Sequence, residues 1–225
     1  MCGRYSLVTS AEKIHQQLGP DVELPVELPL NYNVAPTQPA LVLTDEAPQA
    51  LQAYRWGLVP FWAKDLKIGS RMINARSETI LDKPAFRQAV RRRRCLVLAD
   101  SFYEWQRTGG QKIPFRILRP NDELLLFAGI WEQWQPPTGE SAVHTFSIIT
   151  CPPNVEMKPI HDRMPVVLDT SEKQSAWLDP RLADDDITEL LHTPPDGVLT
   201  MYPVSSQVNN VRNNGPDLHL RAGEA

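Results

Sequence analysis

The chain has 225 residues, 42% of them hydrophobic, which is enough for one domain with a substantial core. It has neither an apolar run of about 18 residues nor a basic segment followed by an apolar one at its start, so no membrane span or signal peptide is expected. The net charge of −4 argues against a general coat for nucleic acid.

The charge distribution and the cysteines indicate which partners and which cellular setting suit the protein. Residues 1–120 hold 17 Lys and Arg against 11 Asp and Glu, whereas residues 121–225 hold 6 against 16. A basic half suits contact with a polyanion, while the acidic half keeps the chain soluble. Cys2, Cys95 and Cys151 are an odd number without CxxC spacing, so neither a disulfide framework nor a cysteine zinc site is expected, and a reducing cytoplasm is the natural setting. No set of His, Cys, Asp and Glu has metal-ligand spacing, and no cofactor is expected.

Short strands separated by helices dominate the predicted order of elements. A capping box at Thr9 and Glu12 begins a helix over 11–18, and a proline in the first turn begins another over 82–92. The other predicted elements are strands at 41–44, 52–56, 95–99, 114–118, 124–131, 145–151, 164–168 and 199–204, and helices at 171–178 and 184–191. This order predicts one α+β domain over residues 2–225, built on a curved, mostly antiparallel sheet.

Four consecutive arginines, Arg91 to Arg94, end the second predicted helix. Cations at the carboxyl end of a helix complement its dipole, which accounts for the run without any ligand. The alternative is a basic face that contacts a polyanion.

Cys2 directly follows the initiator methionine. Once Met1 is removed, Cys2 carries an amine and a thiol on adjacent carbons. Such an aminothiol condenses with an aldehyde to an imine, and the thiol then closes a five-membered thiazolidine. This closure is intramolecular, and such steps reach effective molarities of roughly 10⁵ M or more. The alternative is a small buried apolar side chain.

Two segments rich in aromatic, asparagine and proline residues predict loops. In WGLVPFW at 56–62, Trp56 is predicted to lie in the core, whereas Phe61 and Trp62 are predicted to protrude. Exposed rings of this kind stack on unpaired bases. The segment 31–36, NYNVAP, which includes Asn33 and Pro36, is turn-rich and shows little periodicity.

Three further motifs hold polar groups suited to a reactive site. Alternation places Asn74 and Arg76 on one face, where an amide and a guanidinium suit an anionic ligand, unless Arg76 simply pairs with Glu78. Glu104 lies among three aromatic residues and is a candidate general acid or base, unless it points outward. His161 can move protons near neutral pH, although a single histidine is more often structural.

Seven motifs in this order resemble those of the SOS response-associated peptidase (SRAP) family. They are CGR at 2–4, NYNVAP at 31–36, WGLVPFW at 56–62, INARSET at 73–79, FYEW at 102–105, IHDRMPVVL at 160–168 and PVSSQVNNV at 203–211. The resemblance extends from residue 2 to about residue 215 and leaves a short polar tail. It implies a compact α+β fold with a barrel-like antiparallel sheet and a basic groove. It also implies a protein that binds abasic sites in single-stranded DNA and joins itself to them through the N-terminal cysteine.

The resemblance implies a role for each matching residue. Cys2 would be the nucleophile, Asn74 would hold the α-amine and the opened sugar, Glu104 would move protons, and His161 would help to open the sugar ring. The implied DNA contacts are Arg4, Asn33, Pro36, Phe61, Trp62, Arg76 and Arg163. The arginines would contact phosphates, and the aromatic pair would wedge beside the lesion.

Three functions remain open on the sequence. The first is a covalent abasic-site sensor, with weak lyase activity and adduct reversal as side paths. The second is a cysteine peptidase that uses Cys2, Glu104 and His161 and acts on its own Met1. The third is a noncovalent module for single-stranded DNA. The expected partner is single-stranded DNA containing abasic sites, without a membrane, and a monomer suffices for each function.

Overall fold

The computed structural model describes residues 2–28 and 30–223, and every element below lies in those ranges. The α-helices are α1 Ala11–Leu18, α2 Ala89–Arg92, α3 Ser171–Leu178 and α4 Asp184–Leu190. The strands are β1 Tyr5–Leu7, β2 Asn31–Val34, β3 Pro39–Thr44, β4 Leu51–Trp56, β5 Asn74–Arg76, β6 Arg94–Ala99, β7 Ser101–Thr108, β8 Gln111–Leu118, β9 Leu125–Trp134, β10 Val143–Cys151, β11 Met164–Pro165 and β12 Thr200–Pro203. The predicted α+β class is confirmed. Among the described residues, no helix is both long and apolar enough to cross a membrane.

Five strands close into a barrel. Around it, β10 pairs with β4, β4 with β3, β3 with β6, β6 with β9, and β9 with β10 again. All of these pairings except the parallel β10–β4 pair are antiparallel, so the predicted curved and mostly antiparallel sheet is confirmed. β6 is buried along its whole length, because α3 packs against it from outside the barrel. Burial on both faces explains why its sequence is nearly continuous in apolar residues.

The second sheet fixes the start of the chain. Its strand order is β12–β8–β7–β1–β2, and β1 lies between its antiparallel partners β7 and β2. The sequence does not predict β1, and it predicts a loop over the residues of β2. The loop prediction is wrong and β1 is missed, because neighbouring strands supply the hydrogen bonds that hold these short segments extended. A sequence of three or four residues does not reveal such partners.

The helix predicted over 82–92 is shorter in the structure. The Lys83 carbonyl oxygen accepts hydrogen bonds from the backbone N–H groups of both Phe86 and Arg87, so a tight turn precedes the single helical turn of α2. At α1 the N-cap is Ser10, not Thr9, because the Ser10 hydroxyl accepts the Lys13 N–H at 3.4 Å. The strand predicted over 164–168 is limited to the two residues of β11.

The arginine run stabilises contacts within the protein. Arg94 is fully buried and donates to the carbonyl oxygens of Val90, Trp177 and Asp179 at 2.6–3.0 Å. Two more arginines form ion pairs, Arg91 with Asp184 at 2.7 Å and Arg93 with Glu132 at 2.8 Å. Three of the four guanidinium groups are therefore engaged by the fold, which favours the structural interpretation of the run.

The segment after β12 folds back over the second sheet. Its 3₁₀ turns, Ser206–Asn209 and Pro216–His219, contribute side chains that pack with Tyr32 and Tyr103. The His219 ring lies 4.8 Å from the Tyr32 ring, edge to face. Burial, with a smaller effect from the charge of Arg116, lowers the pKa of His219 to about 3.

We expect acid to destabilise the fold partly through His219. The unfolded histidine binds a proton near pH 6.5 and the folded one only near pH 3. Between these values the unfolded state binds more protons, so the contribution of the neutral ring is complete above about pH 6.5 and is lost as the pH falls through this window. His219→Phe keeps a ring against Tyr32 without titrating. Its thermal midpoint should therefore fall by several degrees less than that of the wild type between about pH 7 and 4.5. Equal falls would exclude His219 as the cause.

Candidate functional site

Cys2 lies three residues before β1 and is 0% exposed. The Asn74 side-chain amide donates to the Cys2 carbonyl oxygen at 2.8 Å, and Cys2 Sγ lies 4.0 Å from the Arg4 carbonyl oxygen. Two pairings bring these residues together: β1 with β7, and β5 with β10. Met1, whose removal the predicted chemistry requires, lies outside the described residues.

The environment of Cys2 keeps its sulfur protonated. Burial raises the pKa of the Cys2 thiol well above its ordinary range, and the charge of Glu104 raises it further. At neutral pH the group is therefore a thiol and not a thiolate. A thiol attacks carbon efficiently only when a nearby base takes its proton, and Glu104 is close enough for its charge to act on this sulfur.

Glu104 points into the protein. Along β7, alternation places Phe102 and Glu104 on one face and Tyr103 and Trp105 on the other. Glu104 is only 3% exposed, and its Oε2 lies 4.0 Å from Nε2 of His161. The alternative in which Glu104 points outward is therefore wrong, although two of its three aromatic neighbours in the sequence lie on the opposite face of β7.

His161 faces Glu104 with one ring nitrogen and its own loop with the other. Its Nδ1 lies 3.0 Å from the backbone nitrogen of Arg163, which donates to it, and 2.8 Å from Oδ1 of Asp162. The loop thus provides a donor for the neutral ring and an acceptor for the charged ring, while Nε2 stays directed towards the carboxylate.

The Arg163 side chain is held inside the structure. Its two terminal nitrogens bind the two carboxylate oxygens of Glu78, and Nη2 also donates to the Thr150 carbonyl oxygen at 2.5 Å. The partner of Glu78 is therefore Arg163. The alternative in which Arg76 and Glu78 form an ion pair is wrong.

Arg4, two residues from Cys2, forms a hydrogen-bonded cluster with Asn33. Arg4 Nη1 donates to Asn33 Oδ1 and to the Val208 carbonyl oxygen, both at 2.8 Å, and its guanidinium lies 5.9 Å from the Trp105 ring centre. Asn33 is 1% exposed, and its amide nitrogen is bonded to the carbonyl oxygens of Val208, Asn210 and Asn213. Asn33 therefore holds Arg4 and the C-terminal segment in place from a buried position.

The loop at 56–62 presents two aromatic side chains to solvent. Phe61 is 57% and Trp62 50% exposed, whereas Trp56 is fully buried, so all three predictions of burial are confirmed. Gly57 has a φ of +124°, and a Cβ there would lie 2.5 Å from the Gly69 carbonyl oxygen. This close backbone approach excludes a side chain at Gly57 and fixes the path of the loop.

The structure brings four of the predicted site residues together: Cys2, Asn74, Glu104 and His161. Two of the predicted DNA contacts lie outside this group. Arg76 is exposed at the end of β5, on the same face as Asn74, and Pro36 is partly buried in the turn after β2. The adjacent Thr37 has a φ of +73°, a left-handed conformation that is a genuine outlier for a β-branched residue.

A cavity of about 530 Å³ opens beside His161, and the sequence prediction omits most of its lining. Trp105, Arg107 and Lys158 contribute to it. Alternation along β7, which places Trp105 and Arg107 on one face, is the signal that identifies them. Across the described residues, no group of three or more His, Cys, Asp or Glu side chains has an arrangement that could hold a metal ion.

The closed barrel and the buried Cys2 belong to a part of the chain that matches a family model. The model described as "SOS response associated peptidase (SRAP)" matches residues 1–211. The chain belongs to the SRAP family.

Named relatives and a solved structure agree with this assignment. The chain is 46% identical over 222 residues to "Abasic site processing protein YoqW" of Bacillus subtilis (strain 168), covering 97% of this chain and 98% of that protein. It is 34% identical over 218 residues to "Abasic site processing protein HMCES" of Xenopus tropicalis, covering 83% and 64%. A crystal structure of a Bacteroides thetaiotaomicron protein superposes with a TM-score of 0.88 at 29% identity, covering 98% and 100%.

Proposed function

We propose that this protein recognises abasic sites in single-stranded DNA and joins itself to them through a thiazolidine at Cys2, once Met1 has been removed. The observation that carries this proposal is the position of Cys2, which is buried beside Glu104 with its backbone held by Asn74. The names of the relatives support the same substrate. An abasic deoxyribose exists partly as an open aldehyde, which is the group that an aminothiol captures.

The covalent reaction releases one water. The Cys2 amine attacks the aldehyde carbon, and the carbonyl oxygen leaves as water to give an imine. The sulfur then adds to the imine carbon, Glu104 takes the thiol proton, and the imine nitrogen gains a proton as the ring closes. The aldehyde itself forms before these steps: His161 protonates the sugar ring oxygen, the bond from that oxygen to C1 breaks, and water takes the C1 hydroxyl proton. An α-amine has a pKa of about 7.7–8.0, so a useful fraction is neutral at physiological pH.

Asn74 orients the reacting amine. Its Nδ2 is already committed to the Cys2 carbonyl oxygen, whereas its Oδ1 is buried and accepts no hydrogen bond from the described residues. A free α-amine on Cys2 gives that oxygen a donor. The same contact directs the nitrogen lone pair towards the incoming aldehyde.

The surrounding cations and rings suit one DNA strand. Phe61 and Trp62 are placed to stack on bases, at about 1–3 kcal/mol per base. Arg4 and Arg76 supply positive charge for phosphates. The guanidinium of Arg163, the third predicted phosphate contact, is bound to Glu78 and Thr150. We assign Asn33 to holding Arg4, because Asn33 is buried, and Pro36 to shaping the turn after β2.

The same site accounts for the side paths of the covalent reaction. The imine permits strand cleavage by elimination, a weak lyase activity that ring closure suppresses, and Glu104 returns a proton to the sulfur when the ring reopens. A cysteine peptidase that uses Cys2 would need the same base, so adduct formation, and not the pKa of Cys2, separates the two activities. An ordinary aminopeptidase suffices to remove Met1. We place the reaction in the cytoplasm and assign it to a monomer whose domain spans residues 2–225.

An oligonucleotide pair tests the function. Met-processed protein is incubated with single-stranded DNA that bears either a true abasic site or a tetrahydrofuran analogue, which has no aldehyde. The abasic strand should give an adduct that survives denaturation, with an intact mass equal to protein plus DNA less one water, and the analogue should give none. Equal, reversible, salt-sensitive binding to both strands without an adduct would support a noncovalent module instead.

A further inference from the structure

Glu78 and Arg163 form a bidentate ion pair outside the reacting groups. Both oxygens of Glu78 bind the guanidinium, whose side chain is only 11% exposed, and the hydrogen bond from Arg163 lowers the pKa of the Glu78 carboxyl. Nη2 of Arg163 also donates to the carbonyl and hydroxyl oxygens of Thr150, at 2.5 and 3.2 Å. A planar guanidinium bound at both ends in this way holds its own backbone in one position.

That backbone position sets the proton on His161. The Arg163 N–H donates to His161 Nδ1 at 3.0 Å. A neutral imidazole that accepts at Nδ1 carries its proton at Nε2, the nitrogen 4.0 Å from Glu104 Oε2. When the ring is charged, Nδ1–H has Asp162 Oδ1 at 2.8 Å as its acceptor. Because the Arg163 N–H needs a lone pair at Nδ1, this contact favours the Nε2–H form over the neutral form in which Nδ1–H donates to Asp162.

We propose that Glu78 is a positioning residue for the covalent reaction: through Arg163 it fixes the 161–163 loop so that His161 enters the site as an Nε2–H donor. This inference rests on the proposed function, in which His161 protonates the sugar ring oxygen. The competing role for Glu78 is to mimic a DNA phosphate that later displaces it from Arg163. The low exposure of Arg163 and its bonds to the Thr150 main chain favour positioning.

The first measurement needs no DNA. In NMR spectra of protein with isotope-labelled histidine, the His161 signal is assigned by its loss in His161→Gln. In the wild type at neutral pH, this signal should show the Nε2–H tautomer or the doubly protonated ring. A neutral ring with its proton at Nδ1 would overturn the proposal, whether or not the protein reacts with DNA.

The second measurement separates positioning from DNA binding. Glu78→Gln should slow adduct formation on abasic DNA about tenfold, the lower end of the effect of groups that orient a reacting ligand from behind. Its reversible affinity for the tetrahydrofuran strand should stay within about twofold. Glu78→Asp keeps the charge and should recover part of the rate, while the exposed Glu189→Gln should react like the wild type. Tighter binding of the analogue by Glu78→Gln at an unchanged adduct rate would identify Glu78 as the phosphate mimic.

The absence of an adduct with the wild type and an unchanged adduct rate for Glu78→Gln lead to different conclusions. If the wild type forms no adduct, the proposed function is wrong, and the tautomer alone decides the role of Glu78. If the wild type reacts and Glu78→Gln reacts equally fast with an unaltered His161 signal, the function stands and the positioning role is wrong.

Discussion

Cys2→Ala is expected to lower the yield of denaturation-resistant adduct with abasic single-stranded DNA by at least about 10³-fold. The alanine amine still forms an imine, but water reverses it, because no neighbouring thiol traps the carbon. The advantage lost is the effective molarity of an intramolecular nucleophile, roughly 10⁵ M for well-oriented groups. Cys2→Ser should also lose the stable product, since an oxazolidine opens far more readily than a thiazolidine. Denaturing gels and intact mass over a time course measure both variants.

The other two cysteines provide the matched control. Cys95 and Cys151 are fully buried, and burial raises the pKa of each thiol, as at Cys2. Neither lies at a chain terminus, so neither has an adjacent free amine. Cys151→Ala should therefore form the adduct at the wild-type rate. A stable adduct of the same mass from Cys2→Ala would show that another nucleophile captures the sugar.

Two strands of the barrel, β6 and β9, are predictable from sequence because almost all of their residues are buried. β6 and β9 are apolar over most of their length, so their composition alone identifies them. β1 and β5 have three residues each, and their extended backbone depends on partner strands far away in the chain. No local pattern specifies such a pairing, which is why the sequence misses β1 and describes 73–76 only as an alternating stretch.

The members of the site are easier to predict than their connections. Cys2, Asn74, Glu104 and His161 each stand in a motif with unusual chemistry, and the structure brings them together. Their convergence depends on β1–β7 and β5–β10 pairing across long sequence separations. Glu78 illustrates why the contacts between site residues are hard to predict. Arg76 is a cation close to it in the sequence, whereas in the fold Glu78 pairs with Arg163, which lies 85 residues away along the chain.

Glu104→Gln is expected to slow adduct formation by about 10²–10⁴-fold, the usual contribution of a positioned acid or base. Glutamine has the same size and keeps an oxygen facing His161, but it cannot take the thiol proton as the sulfur attacks. Because burial keeps Cys2 protonated, this transfer is required in every catalytic event and solvent cannot readily replace it. Reversible binding to the tetrahydrofuran strand should be unchanged, since Glu104 is 3% exposed.

The matched control for this change is another buried carboxylate. Glu132 is 5% exposed and pairs with Arg93, and burial raises the pKa of its carboxyl. Glu132→Gln removes a comparable buried charge from a position outside the reactive group, so it should leave the adduct rate near that of the wild type even where it lowers the thermal midpoint. If Glu104→Gln slows the reaction no more than Glu132→Gln, the carboxylate serves only the packing of β7. The thiol proton would then have to leave through His161, whose Nε2 lies 4.0 Å from Glu104 Oε2. The rate difference between these two variants therefore decides which group accepts the proton as the carbon–sulfur bond forms.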